Sequence, residues 1–190
     1  MKETSSNKNA SNKISTTQLV YAALFTAILA ICSWISIPSA VPFTMQTFAV
    51  FITLSLLGGK LGSLVIFVYI LLGDIGVPVF SGFKGGPGAL FGTTGGYILG
   101  FILTALVYWM ITALCGNKLY IRITALLLGL TLCYAFGTIW FMYLYAAVNG
   151  PVSVMTALGW CVFPYLIPDF IKLALALFLR GRLYRYIHLS

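Results

Sequence analysis

The sequence predicts an all-α integral membrane protein, a bundle of six transmembrane helices with both termini in the cytoplasm. Three observations carry this. Of 190 residues, 61% are hydrophobic and 7% charged, against roughly 45–50% apolar and 25% charged in an ordinary soluble domain. The charges are also segregated, leaving uncharged runs from Ile14 to Gly59, Gly85 to Asn117 and Ile123 to Pro168, whereas a spanning helix needs only about 20 apolar residues. Finally, the basic residues sort almost entirely to one side of a six-helix topology.

Residues 1–13, rich in Ser, Asn and Lys, read as a polar cytoplasmic tail, and residues 14–190 as the membrane domain. The apolar stretch from about Thr17 to Ser36 exceeds the roughly 7–15-residue core of a signal peptide, and further spans follow it, so it is read as a retained first helix. Pro38 and Pro42 interrupt the chain and predict a loop. A second helix runs from about Met45 to Leu57, a Gly58-Gly59-Lys60 turn follows, and a third helix extends from about Leu61 to Gly73. At about 1.5 Å per residue both reach only about 20 Å across a hydrocarbon core of about 30 Å. Short, interrupted segments of this kind often border a binding cavity. Asp74 to Gly96, with Pro78, Pro87 and many glycines, is the longest break. The fourth helix covers about Tyr97 to Leu114 and the fifth about Ile123 to Ala147. After an Asn149-Gly150-Pro151 turn, the sixth covers about Ala157 to Leu179, with Pro168 expected to kink it.

Lys and Arg in short loops accumulate on the cytoplasmic side. In the six-helix arrangement Lys2, Lys8, Lys13, Lys60, Lys118, Arg122, Arg180, Arg182 and Arg185 share that side, while Lys84 and Asp74 lie opposite and Lys172 sits within helix six. Removing one helix would scatter these charges over both faces. The same count explains the net charge of +8 without nucleic acid, since the cations form neither a stripe nor an aromatic-interleaved patch. The unusual loops gather on the outer side, which predicts an outward-facing ligand pocket.

Within it, Asp169 and Lys172 are ionisable residues placed deep in a helix, at a cost of at least roughly 2.5–3.5 kcal/mol each. Their spacing of three puts them on one face, where they can form a structural ion pair or meet a polar ligand. VPFTMQTF sets Thr44, Gln46 and Thr47 at the mouth of helix two. Thr44 could serve as a cap, while the Gln46 amide offers two donors and an acceptor. The glycine-rich segment carries Phe80, Phe83, Phe91 and Tyr97, suited to an apolar lid. Lys84 could attract a carboxylate or simply be solvated. No G-K-[ST] follows those glycines, which excludes a phosphate loop. Ala23 and Ala27 form a small-x-x-x-small step, for packing inside the bundle or docking another membrane subunit. Cys32, Cys115, Cys133 and Cys161 lack metal or redox spacing and read as packing residues. His188 reads as solvated. Neither a nucleophile–base set, a metal-ligand cluster nor a carboxylate pair is present, so the chain is not read as an enzyme.

Taken in order, VPFTMQTF, VPVFSGFKGGPGALFGTTGGYILGF and the D-x-x-K of Asp169 and Lys172 resemble the BioY family of biotin-specific S components of energy-coupling factor (ECF) transporters. The likeness covers nearly the whole chain after the polar tail. It implies an S-component-like fold in the bacterial plasma membrane that binds biotin with high affinity and topples to deliver it. A transmembrane coupling subunit would meet Ala23 and Ala27, and two cytoplasmic ATPases would supply energy. No cofactor is implied, and biotin is the cargo. On this likeness Asp169 and Gln46 take the ureido group, and Phe80 and Tyr97 cover the apolar body. Thr44, Thr94 and Lys84 complete the contacts, while Lys172 holds Asp169 ionised or meets the ligand carboxylate. Two positions depart from the common family pattern, Thr93 in place of a proline and Ile167-Pro168-Asp169 in place of P-G-D. The alternatives are an S component for another vitamin, a proton-coupled small transporter using Asp169, and a purely structural membrane subunit.

Overall fold

The computed structural model describes residues 15–39 and 41–187; the polar tail (1–13) and His188 lie outside them. Helix α1 spans Thr16–Trp34 and starts at a capping box. The Gln18 backbone N–H donates to Ser15 Oγ and the Ser15 N–H to Gln18 Oε1, each at 3.2 Å. Between α1 and the next helix the sequence predicted a loop. The structure adds a two-stranded antiparallel ribbon, β1 (Ser36–Ile37) against β2 (Phe43–Thr44). Pro38 and Pro42 forbid helix here and lie outside the paired residues, so the strand amides remain free to bond.

Helix α2 is assigned over Gln46–Asp74 but is not one rod. Gly58 adopts φ 78° and ψ 176°, a conformation that only glycine takes without strain. The arms 46–57 and 59–74 fold back on each other there. Gln46 Nε2 donates to the Tyr69 hydroxyl at 2.7 Å, although a straight helix would hold these residues about 34 Å apart. A Cβ on Gly62 would lie 3.2 Å from Leu54 Cα. The hairpin supplies the expected second and third helices. Five helical segments are long and apolar enough to cross a membrane, and with the second one doubled the bundle has six passes.

A one-turn helix, α3 (Pro87–Leu90), sits in the glycine-rich segment. Helices α4 (Gly95–Cys115) and α5 (Leu119–Asn149) then pack closely. A Cβ on Gly129 would come within 2.8 Å of Thr104, and one on Gly137 within 2.3 Å of the Tyr97 ring. Between membrane helices, where apolar burial offers little driving force, such backbone approach supplies the packing.

The last span is α6 (Val154–Cys161) followed by α7 (Phe163–Leu183) and a 3₁₀ turn at Tyr184–Tyr186. It breaks at Val162 (φ −127°, ψ −58°), while α7 continues through Pro168. The interruption thus falls six residues before the expected kink. Pro164 lacks the N–H that would continue α6 and is accommodated in the first turn of α7 instead.

At one end of the bundle, Arg122 Nη1 and Arg180 Nε both donate to the Ser55 carbonyl at 3.0 Å. The hairpin turn, the start of α5 and the end of α7 therefore meet at the end that the basic residues assign to the cytoplasm.

Candidate functional site

The opposite half of the bundle encloses a cavity of about 720 Å³, within the roughly 300–1,000 Å³ range of small-molecule sites. The structure places all eight residues singled out as ligand contacts on its wall: Thr44, Gln46, Phe80, Lys84, Thr94, Tyr97, Asp169 and Lys172.

Its polar side is built on α7. Asp169 and Lys172 are 3% and 5% exposed, and Lys172 Nζ lies 2.7 Å from Asp169 Oδ1. Two charges so deeply buried persist only when paired and hydrogen-bonded. The Lys172 ammonium spends its three protons on Asp169 Oδ1, the Thr44 carbonyl at 2.7 Å and Thr47 Oγ1 at 3.0 Å, and it lies 4.1 Å from the centre of the Phe43 ring. Thr47 passes its own proton to Asp169 Oδ1 at 2.9 Å. The Tyr134 hydroxyl donates to Oδ2. That oxygen keeps a further acceptor position, whereas the lysine has no proton left over.

Beside this pair, Thr44 Oγ1 donates to Gln46 Oε1 at 3.1 Å and Gln46 Nε2 to the Tyr69 hydroxyl, which donates to the Val79 carbonyl at 2.9 Å. The relay fixes the Gln46 amide across the hairpin and still leaves one N–H and one oxygen lone pair unused. Thr44 also accepts from the Gln46 N–H at 3.2 Å, so both sequence readings of Thr44, cap and cavity wall, describe it.

The apolar side comes from the long break. Phe80 is held by backbone pairing with Lys84, at 2.9 and 3.3 Å. Its ring meets Tyr69 edge-on at 5.6 Å and fills the space left by Gly73, where a Cβ would lie 2.0 Å from it. Tyr97 ties its hydroxyl to Thr138 Oγ1 at 2.9 Å, leaving the ring as its contribution to the wall. Trp140 Nε1 donates to the Gly92 carbonyl at 3.0 Å and anchors the segment leading to Thr94, whose side chain makes no capping bond at the start of α4. Lys84 is exposed at the rim. Phe83 lines the cavity and stacks on Trp34 at 5.0 Å, while Phe91 is not part of the lining and tilts against Trp140 at 6.5 Å.

Sequence reasoning left out Tyr134, the second donor to Asp169, and Tyr165, whose hydroxyl ties α7 to the Val41 carbonyl and to Ser39. Nothing distinguishes either among eleven tyrosines except position on the cavity side of its helix. Cys133 and Cys161, read as packing residues, are buried and also line the cavity. Away from it, Ala23 and Ala27 are exposed on the outer face of α1, while Phe25, Leu29 and Ala30 face the core.

Fold and site together define a six-pass helical membrane protein built around a deep, polar-walled hollow under a loop-rich rim. The BioY family matches residues 4–188, and the chain belongs to that family. It is 38% identical over 167 residues to the Biotin transporter BioY of Thermotoga maritima, covering 87% of this chain and 95% of the relative. It is 36% identical over 162 residues to the Probable biotin transporter BioY of Pyrococcus horikoshii, covering 85% and 92%. Among solved structures, it resembles the S-component for biotin from an ECF-type ABC transporter, with a TM-score of 0.77 and 27% identity over 92% of this chain and 94% of that one.

Proposed function

We propose that this chain is the biotin-capturing subunit of an ECF-type importer in the bacterial plasma membrane, with its cavity facing outward and biotin as cargo. The observation that carries this reading is the acceptor position left open on Asp169 Oδ2, on the cavity wall beside the unused groups of Gln46. A cyclic urea presents two N–H donors flanking one carbonyl acceptor. Asp169 and the Gln46 oxygen can accept the former, and the Gln46 N–H can donate to the latter. Phe80 and Tyr97 offer ring faces to the apolar body, and Thr94 adds a hydroxyl.

The three protein contacts of Lys172 favour the first of its two expected roles, service to Asp169 as its ion-pair partner, and leave the valerate carboxylate to Lys84 at the rim. Because no nucleotide loop is present in the sequence, energy comes from partners: a transmembrane coupling subunit and two cytoplasmic ATPases. The exposed Ala23 and Ala27 step fits close docking of that coupling subunit, and toppling of the loaded chain delivers the vitamin inward. Family membership favours this reading over another vitamin or a proton-coupled carrier.

Titration of the purified, detergent-solubilised chain with biotin, in competition with other vitamins, tests the proposal. Saturable binding of one biotin that the others do not displace is expected. Absence of biotin binding by folded protein contradicts it.

A further inference from the structure

At the cytoplasmic end, two guanidinium groups converge on one backbone carbonyl with no described acid beside them. The Gly58 turn ends the first arm of α2 and strips the carbonyls of its last turn of helical donors. Arg122 from α5 and Arg180 from α7 both fill that need at the Ser55 oxygen, each at 3.0 Å, so the two donor nitrogens are no more than about 6 Å apart. Arg122 also donates from Nε to the Asn117 carbonyl at 2.8 Å and is 7% exposed. The Arg180 guanidinium lies 4.6 Å from the Tyr184 ring.

Among the described residues the acids are Asp74 and Asp169. Asp169 is paired with Lys172, and Asp74 closes the far end of the second hairpin arm, about 24 Å of helix from the turn. Neither terminal nitrogen of Arg180 makes a hydrogen bond to a described residue, and the Arg122 guanidinium lies beside the buried Tyr108 hydroxyl. The Arg122 guanidinium is removed from water and the half-buried Arg180 lies beside it, so with no described acid to neutralise them the pair is suited to an anion.

We propose that Arg122 and Arg180 bind the phosphate group of an anionic phospholipid from the cytoplasmic leaflet. The remaining donors belong to planar forks suited to two phosphate oxygens at once. They sit at the first turn of one spanning helix and the last turn of another, which is headgroup depth, and a basic pocket between helix ends on this side is suited to such a group. Leu119, Tyr120, Leu183 and Tyr184 are exposed beside it, at 57%, 62%, 42% and 51%. A lipid brings acyl chain and interfacial contact to these residues, whereas a free phosphate does not.

Native mass spectrometry of the full-length chain, loaded in parallel with phosphatidylglycerol, phosphatidylcholine or inorganic phosphate, reads this directly. The wild type should retain phosphatidylglycerol in preference to phosphatidylcholine. Arg180→Gln, in which Arg122 still caps Ser55, should lower that preference by about tenfold, the loss of one hydrogen bond to a charged group. Arg182→Gln, an exposed charge two residues away, should change it by less than about twofold. The wild-type comparison needs no variant and stands if a substitution perturbs folding. Equal retention of the two lipids by the wild type, equal losses in Arg180→Gln and Arg182→Gln, or stabilisation by inorganic phosphate matching that by phosphatidylglycerol would overturn the proposal.

Discussion

The two ends of the bundle each bury charge, and they treat it in opposite ways. In the cavity, Asp169 and Lys172 neutralise each other, and Thr44, Thr47 and Tyr134 absorb nearly all their remaining bonding capacity. At the cytoplasmic end, Arg122 and Arg180 share a carbonyl and have no described acid. The first arrangement leaves one acceptor position open toward a hollow. The second leaves several donors open beside lipid-facing residues. A buried charge is therefore not itself the mark of a site; the unspent valence is what selects a partner, an N–H-bearing neutral group at one end and an anion at the other.

Removing the negative member of the cavity pair makes that end resemble the other, and this carries the largest expected effect. Asp169→Asn keeps the shape but removes the charge behind its hydrogen bonds, and biotin affinity by calorimetry should fall about 100-fold. Gln46→Ala breaks the relay between the hairpin arms and removes neutral bonds only, so a loss of about tenfold is expected in the same titration. Lys84→Gln acts at the exposed rim and should cost about threefold, shrinking further as salt is raised. Gly129→Ala, remote from the cavity lining, forces α4 and α5 apart at Thr104. It should lower stability by about 1–3 kcal/mol in an unfolding assay while leaving biotin affinity unchanged.

Much of this architecture was legible in the sequence because lipid imposes simple constraints. Uncharged runs located the spans, and the sidedness of Lys60, Lys118, Arg122 and Arg180 fixed how many there had to be. Breaks in apolar pattern marked the loops, and the eight residues chosen from them, from the starts of helices two and four and from helix six line one cavity. What stayed hidden depends on three-dimensional register. The turn at Gly58 was legible, but not that it brings Gln46 against Tyr69. Pro168 drew attention by its place beside Asp169, yet the helix breaks at Val162, where Pro164 acts first. Tyr134 and Tyr165 gain their roles from neighbours more than 30 residues distant, and no local pattern announces them. Arg122 and Arg180 were visible as topology markers but not as joint caps of the hairpin.

The central claim is that Asp169 touches the ligand, and the scarcity of carboxylates makes it directly observable. The chain has three acidic residues, Glu3, Asp74 and Asp169, so infrared difference spectra of protein carrying carboxyl-labelled aspartate report on two groups, of which Asp74→Asn removes one. The account predicts that adding biotin shifts a carboxylate band that persists in Asp74→Asn and vanishes in Asp169→Asn. Biotin bound at full affinity with that band unmoved would contradict it.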